Sequence, residues 1–183
     1  MGVFDFLGNS ADEKNRIVDI AKEISVNDKA VIAEMEKCLN DTELYVEENE
    51  DRFLERGIEV EEVEDDVEEV RWIAMVDILE ANGYVCERDW KDELEDFVYF
   101  VGNLKGTKSR GLSIEAEWFE EEADVVEWCA VLDEKWAAEG VGVAAIDIDS
   151  DSYVLFPYEV EVLDKLCDLA EQLERRIDLV QNM

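Results

Sequence analysis

Residues 141–158 read VGVAAIDIDSDSYVLFPY. Val141–Ile148 and Tyr153–Tyr158 are rich in branched and aromatic residues, and Asp-Ser-Asp-Ser lies between them. The pattern predicts two strands joined by a tight polar turn. Upstream, Asp124 opens a run in which Val125, Trp128, Cys129, Leu132 and Trp136 recur at helical spacing until Gly140. That run predicts an amphipathic helix whose tryptophan stripe packs on the strands. Beyond Pro157, Leu163, Leu166, Ala170, Leu173 and Ile177 predict one final helix.

The strand and helix signals continue toward the N terminus. Leu112–Trp118 alternates apolar and polar residues and predicts a strand, as does Tyr84–Arg88. Gly102–Gly111 (GNLKGTKSRG), the one basic cluster of the chain, reads as a loop. Between that loop and Trp90, Leu94, Phe97, Val98 and Val101 mark a helix. Another helix carries Val70, Ile73, Ala74 and Ile78 and stops at Asn82-Gly83. The N-terminal third reads as helices only: Asp12 to Ile24, then Asn27 or Asp28 onward with Asn27 as a cap, then a charged helix to Glu55. Glu59–Glu69 (EVEEVEDDVEE) is a solvated linker or the first turn of the next helix.

The expected fold is therefore α+β (or α/β): a small mixed sheet of about four short strands packed by helices, with an acidic helical N-terminal extension. The expected division is a helical segment over 1–58 and an α/β domain over 59–183, the alternative being one continuous domain. No internal repeat is found.

The stretch Glu127–Tyr158 (EWCAVLDEKWAAEG…VAAIDIDSDSYVLFPY) resembles a family of uncharacterised bacterial domains. The likeness extends upstream to RWIAMVDILEANGY and Asp89-Trp90, and so covers the C-terminal two-thirds. It implies a bacterial, cytoplasmic domain and no catalytic residue. The acidic N-terminal helices are expected to lie outside it.

Charge bounds the function. The chain carries 51 Asp and Glu against 17 Lys and Arg, no His, and a formal charge of −34. Such a surface repels nucleic acid and anionic membranes and attracts basic proteins or cations. Apolar residues make up 48% of the chain, enough for a folded core. Without histidine there is no Ser-His-Asp or Cys-His arrangement and no His-based zinc site. The glycines do not form a phosphate loop, and no cofactor is expected. The four cysteines, Cys38, Cys86, Cys129 and Cys167, lack metal or redox spacing and read as buried free thiols. Met1–Gly8 lacks the features of a signal peptide, so a cytoplasmic location is expected.

Two candidate sites follow. Glu47, Glu48, Glu61, Glu62, Glu64, Asp65 and Asp66 form the acidic surface expected to dock a basic protein partner, as an immunity or inhibitor protein would. Asp147, Asp149 and Asp151 are the candidate divalent-cation or small-ligand site, set against a hairpin whose side chains bond their own backbone. A calcium-loop assignment fails because Ser152 stands where glycine is needed and Tyr158 where glutamate is needed. A hydrolase using carboxylates alone ranks third.

Overall fold

Carboxylates cap four of the nine helices among the described residues. The Asp28 side chain accepts the Ala30 amide at 2.9 Å, Asp41 accepts that of Leu44 at 3.2 Å, and Asp66 that of Glu69 at 3.3 Å. Asp124 and Glu127 form a reciprocal capping box. The computed structural model describes residues 3–183, with side-chain surroundings from residue 11 onward. Among these residues it shows nine helices: α1 Val3–Ile24, α2 Lys29–Asn40, α3 Thr42–Glu48, α4 Glu50–Glu55, α5 Val67–Ala81, α6 Leu94–Asn103, α7 Lys105–Ser109, α8 Val125–Trp136 and α9 Val160–Glu171. Four strands accompany them: β1 Cys86–Asp89, β2 Val141–Ile146, β3 Ser152–Glu159 and β4 Ile177–Leu179.

The class is α+β, with a four-stranded sheet in the order β1-β3-β2-β4. Every pairing is antiparallel, which corrects the expectation of a mixed sheet. The β2–β3 hairpin is its centre, with Ala144 opposite Phe156 and Ile146 opposite Val154. Every residue of β2 is buried, as befits an interior strand. The chain divides into two compact units, Met1–Leu79 and Glu80–Met183, the division falling within α5.

In the first unit, Ile17, Ile20 and Ala21 of α1 are buried, as are Val31, Met35 and Leu39 of α2. The charged helix expected to reach Glu55 is two helices. Asn49 interrupts it, its side-chain amide donating to the Tyr45 carbonyl at 2.7 Å. Asn27 is not the cap of α2, because its φ of 59° is left-handed and Asp28 takes that role. The expected apolar stripe on α5 is an understatement, since every position from Val70 to Leu79 is buried. Its two charged residues there are paired: Asp77 with Arg52 and Arg56, Arg71 with Glu13.

In the second unit, Trp128, Cys129, Leu132 and Trp136 of α8 join Val143 and Ala145 of β2 and Leu155 of β3 in one core. Both indoles are satisfied: Trp128 donates to the Glu120 carbonyl at 2.9 Å and Trp136 to that of Ser113 at 2.8 Å. The second bond explains why 112–118 is not a strand. Leu112 and Ile114 do pack on the core, but a carbonyl between them serves an indole, and residues 116–118 close into a 3-10 turn. Gly102–Gly111 is not a loop either, for α6 runs to Asn103 and α7 follows. Thr107 is buried and donates to the Val101 carbonyl at 2.8 Å. A Cβ at Gly106 would lie 2.6 Å from Pro157, so glycine lets α7 approach β3.

The fourth strand also departs from expectation. Ile177 belongs to β4 and not to a helix continuing from Leu163. The helix ends in a Schellman pair of bonds, Arg175 amide to Ala170 carbonyl and Glu174 amide to Glu171 carbonyl, at 2.9 and 3.0 Å. Its left-handed residue is Glu174, with φ 56°, so no glycine announces the stop.

Candidate functional site

Three arginines of the first unit, Arg52, Arg56 and Arg71, turn onto carboxylates within it. Between Asp41 and Glu69 the only basic residues are Arg52 and Arg56. Both turn onto the buried Asp77 carboxylate, Arg52 Nε donating to one oxygen at 3.1 Å and Arg56 Nη2 to the other at 2.7 Å. Arg71 likewise turns inward, its Nη1 donating to both Glu13 oxygens at 3.1 and 3.2 Å and its Nε to Thr42 at 3.1 Å. A carboxylate taken from water needs such partners, because an uncompensated buried charge is strongly destabilising.

The outward side is correspondingly negative. Glu47, Glu48, Glu61, Glu62, Glu64, Asp65 and Asp66 are all exposed. Glu48 pairs with Lys37, and Asp66 caps α5. The acidic run is neither a free linker nor wholly helix. Residues Val60–Glu62 make a 3-10 turn, Val63 is buried beneath it, and α5 begins at Val67 with Glu68 and Glu69 in its first turn. Burial of Val63 is what holds its charged neighbours at the surface. Leu44 and Leu54, at 46% and 48% exposure, lie on α3 and α4 next to Glu43 and Glu55 in the chain.

In the second unit, the β2–β3 turn forms one wall of a cleft of about 330 Å³. Asp147 and Asp151 line it; Asp149 does not. The Asp147 side chain accepts the Asp149 amide at 2.9 Å, the self-bonded turn expected of Asx residues. Asp149, with φ 54°, is exposed and directs its carboxylate to within 4.0 Å of Arg175. Among the described residues, no three of His, Cys, Asp and Glu come together in a group able to hold a metal ion. Trp90, Ile146, Tyr153 and Met183 form the cleft's aromatic and apolar lining. In the sequence Trp90 is legible only as the residue before a helix. Its place beside the aspartates follows from pairing, as Asp89 stands opposite Ser152 and the Trp90 amide donates to the Asp151 carbonyl at 3.4 Å.

The four cysteines are free. Burial pushes the Cys38 and Cys86 thiols up to about 12 and raises those of Cys129 and Cys167 as well, which keeps the reactive thiolate scarce. Asp133 is a half-buried carboxylate of another kind. It accepts the Val143 amide at 2.7 Å, and burial raises its pKa against that bond. No helix of the described residues is long and apolar enough to cross a membrane.

The family model described as a domain of unknown function (DUF6630) matches residues 16–180. The match takes in the N-terminal helices that the sequence resemblance was expected to leave out. No curated protein and no solved structure matches the chain.

Proposed function

The chain belongs to the DUF6630 family, and we propose that it is a non-enzymatic binding protein of the bacterial cytoplasm that engages a basic protein. The observation carrying this reading is the inward turn of Arg52, Arg56 and Arg71 onto Asp77 and Glu13, which leaves the exposed carboxylates of 41–69 facing water. Neighbouring like charges on a helix destabilise it by about 0.2–0.5 kcal/mol per pair. A cationic partner relieves that repulsion and is steered to the surface by it. The exposed Leu44 and Leu54 on the same acidic helices add apolar contact area to this surface, which favours a protein partner. Neutralising a cationic toxin, the task of an immunity or inhibitor protein, is the form of binding these features suit.

The test is to express the chain with the basic protein encoded beside its gene and follow binding by calorimetry across salt. Affinity is expected to fall about tenfold or more between about 50 and 300 mM NaCl. Converting Glu61, Glu62, Glu64 and Asp65 to lysine is expected to abolish it, while Asp66 is kept for its cap. Salt-independent binding, or a gene with no basic neighbour, would count against the reading.

A further inference from the structure

We propose that the cleft at the β2–β3 turn binds an organic cation, an ammonium or guanidinium group on an apolar stem. The site lies within the second unit and is independent of the acidic face just described. Its volume of about 330 Å³ is at the lower end of the range for small-ligand sites. The lining combines two kinds of surface: the Asp147 and Asp151 carboxylates, and the Trp90, Tyr153 and Met183 side chains. Carboxylates alone attract any cation. An indole face beside them favours one that sheds its water easily, since the ring quadrupole rewards a weakly hydrated charge in contact with it.

Two observations separate this ligand from a metal ion. Hard divalent cations need several oxygens converging at about 2.0–2.6 Å, and the described residues bring no three metal-ligating side chains together. Asp149, the carboxylate a metal loop would recruit, is directed to Arg175 instead. The second observation concerns Trp90. It is 46% exposed, whereas Trp72, Trp128 and Trp136 are at most 2% exposed. The ring already carries a cation, with Lys91 Nζ 4.2 Å from its centroid. The Lys91 ammonium therefore marks the indole as a cation-accepting ring, although Lys91 itself does not line the cleft.

The register of the sheet builds this arrangement. β1 pairs with β3 so that Asp89 faces Ser152, which sets Trp90 beside Asp151 at the cleft wall. The hydroxyls of Ser150 and Ser152 bond each other at 2.7 Å, and Ser152 donates to Glu87, while Asp147 and Asp151 bring the formal charge of the cleft lining.

The experiment is an NMR titration at constant ionic strength, following the backbone amides of residues 147–153. The probes are n-butylammonium, methylguanidinium, a glycyl-lysyl-glycine peptide and, as control, Mg²⁺. Saturable shifts are expected with the organic cations, and a tighter fit for the free amine or for the peptide identifies the natural source as a small molecule or a protein side chain. Trp90→Leu is expected to weaken binding about tenfold. The charge-removing pair Asp147→Asn and Asp151→Asn should do the same, since the side-chain oxygen retained at position 147 still accepts the Asp149 amide. Each variant's spectrum reports whether it is folded. The proposal is overturned if the shifts do not saturate, if Mg²⁺ reproduces them, or if Trp90→Leu binds as the wild type does.

Discussion

Asp133 shows how a single side chain can oppose the fold it supports. Its Oδ1 satisfies the Val143 amide at the centre of the sheet, while burial raises its pKa above the ordinary 3.8. A carboxyl whose folded pKa is raised binds its proton more tightly in the native state, so its contribution is most favourable below about 3.8 and is lost as pH climbs through the raised value. At neutral pH the charged form is a net burden. Asp133→Asn keeps an oxygen for Val143 and removes the charge. Its melting temperature relative to wild type is expected to rise as pH increases from about 4 and to level off once wild-type Asp133 is ionised. A difference that does not change with pH would show that the fold does not raise the Asp133 pKa. Space there is also limited, because a Cβ on Gly142 would lie 2.9 Å from both Asp133 Oδ1 and the Tyr158 hydroxyl. Periodicity could not find Asp133, since its role depends on a strand that meets it only in the fold.

At the scale of elements, what was legible depended on whether local chemistry marked the ends. The helix after Asp124 and the hairpin at 141–158 were plain, because a capping box, Gly140 and a polar turn bound them. The end of α9 and the start of β4 were not, because a glutamate occupies the left-handed position where glycine would have given the signal. Leu112–Trp118 misled for the opposite reason: its alternation is real, but Trp136 takes up the Ser113 carbonyl. Of the candidate sites, the acidic face could be read from composition, whereas Trp90 in the cleft required the register of β1 against β3. The end of α1 repeats the pattern of α9 with a worse residue. Val26 has φ 51°, and the Asn27 amide bonds the Lys22 carbonyl at 2.8 Å. A β-branched residue is strained in that conformation, by about 1–2 kcal/mol. Val26 is also exposed, so replacing it removes no core contact. Val26→Gly is accordingly expected to stabilise the protein by about 1 kcal/mol in urea unfolding, after allowance for glycine's added freedom in the unfolded chain. A loss of stability would mean that the strain is relieved elsewhere.

For the whole molecule, the formal charge of −34 acts on folding and on recognition with opposite signs. Self-repulsion among exposed carboxylates destabilises the free protein, and salt screens it, shortening the Debye length from about 30 Å at 0.01 M to about 8 Å at 0.15 M. With several like-charge pairs relieved at about 0.2–0.5 kcal/mol each, the melting temperature is expected to rise on the order of 5 °C over that interval. The same screening weakens attraction to a basic partner, so affinity must fall over the conditions in which the free protein gains stability. Neutralising Glu61, Glu62, Glu64 and Asp65 as amides tests both effects at once. If these carboxylates are the docking surface, the variant should melt higher at low salt, depend less on salt, and bind the basic partner more weakly. A variant that gains stability yet binds unchanged would assign the charge to solubility and move the interface elsewhere. The two slopes therefore separate a negative surface that recognises a partner from one that merely keeps the protein dispersed.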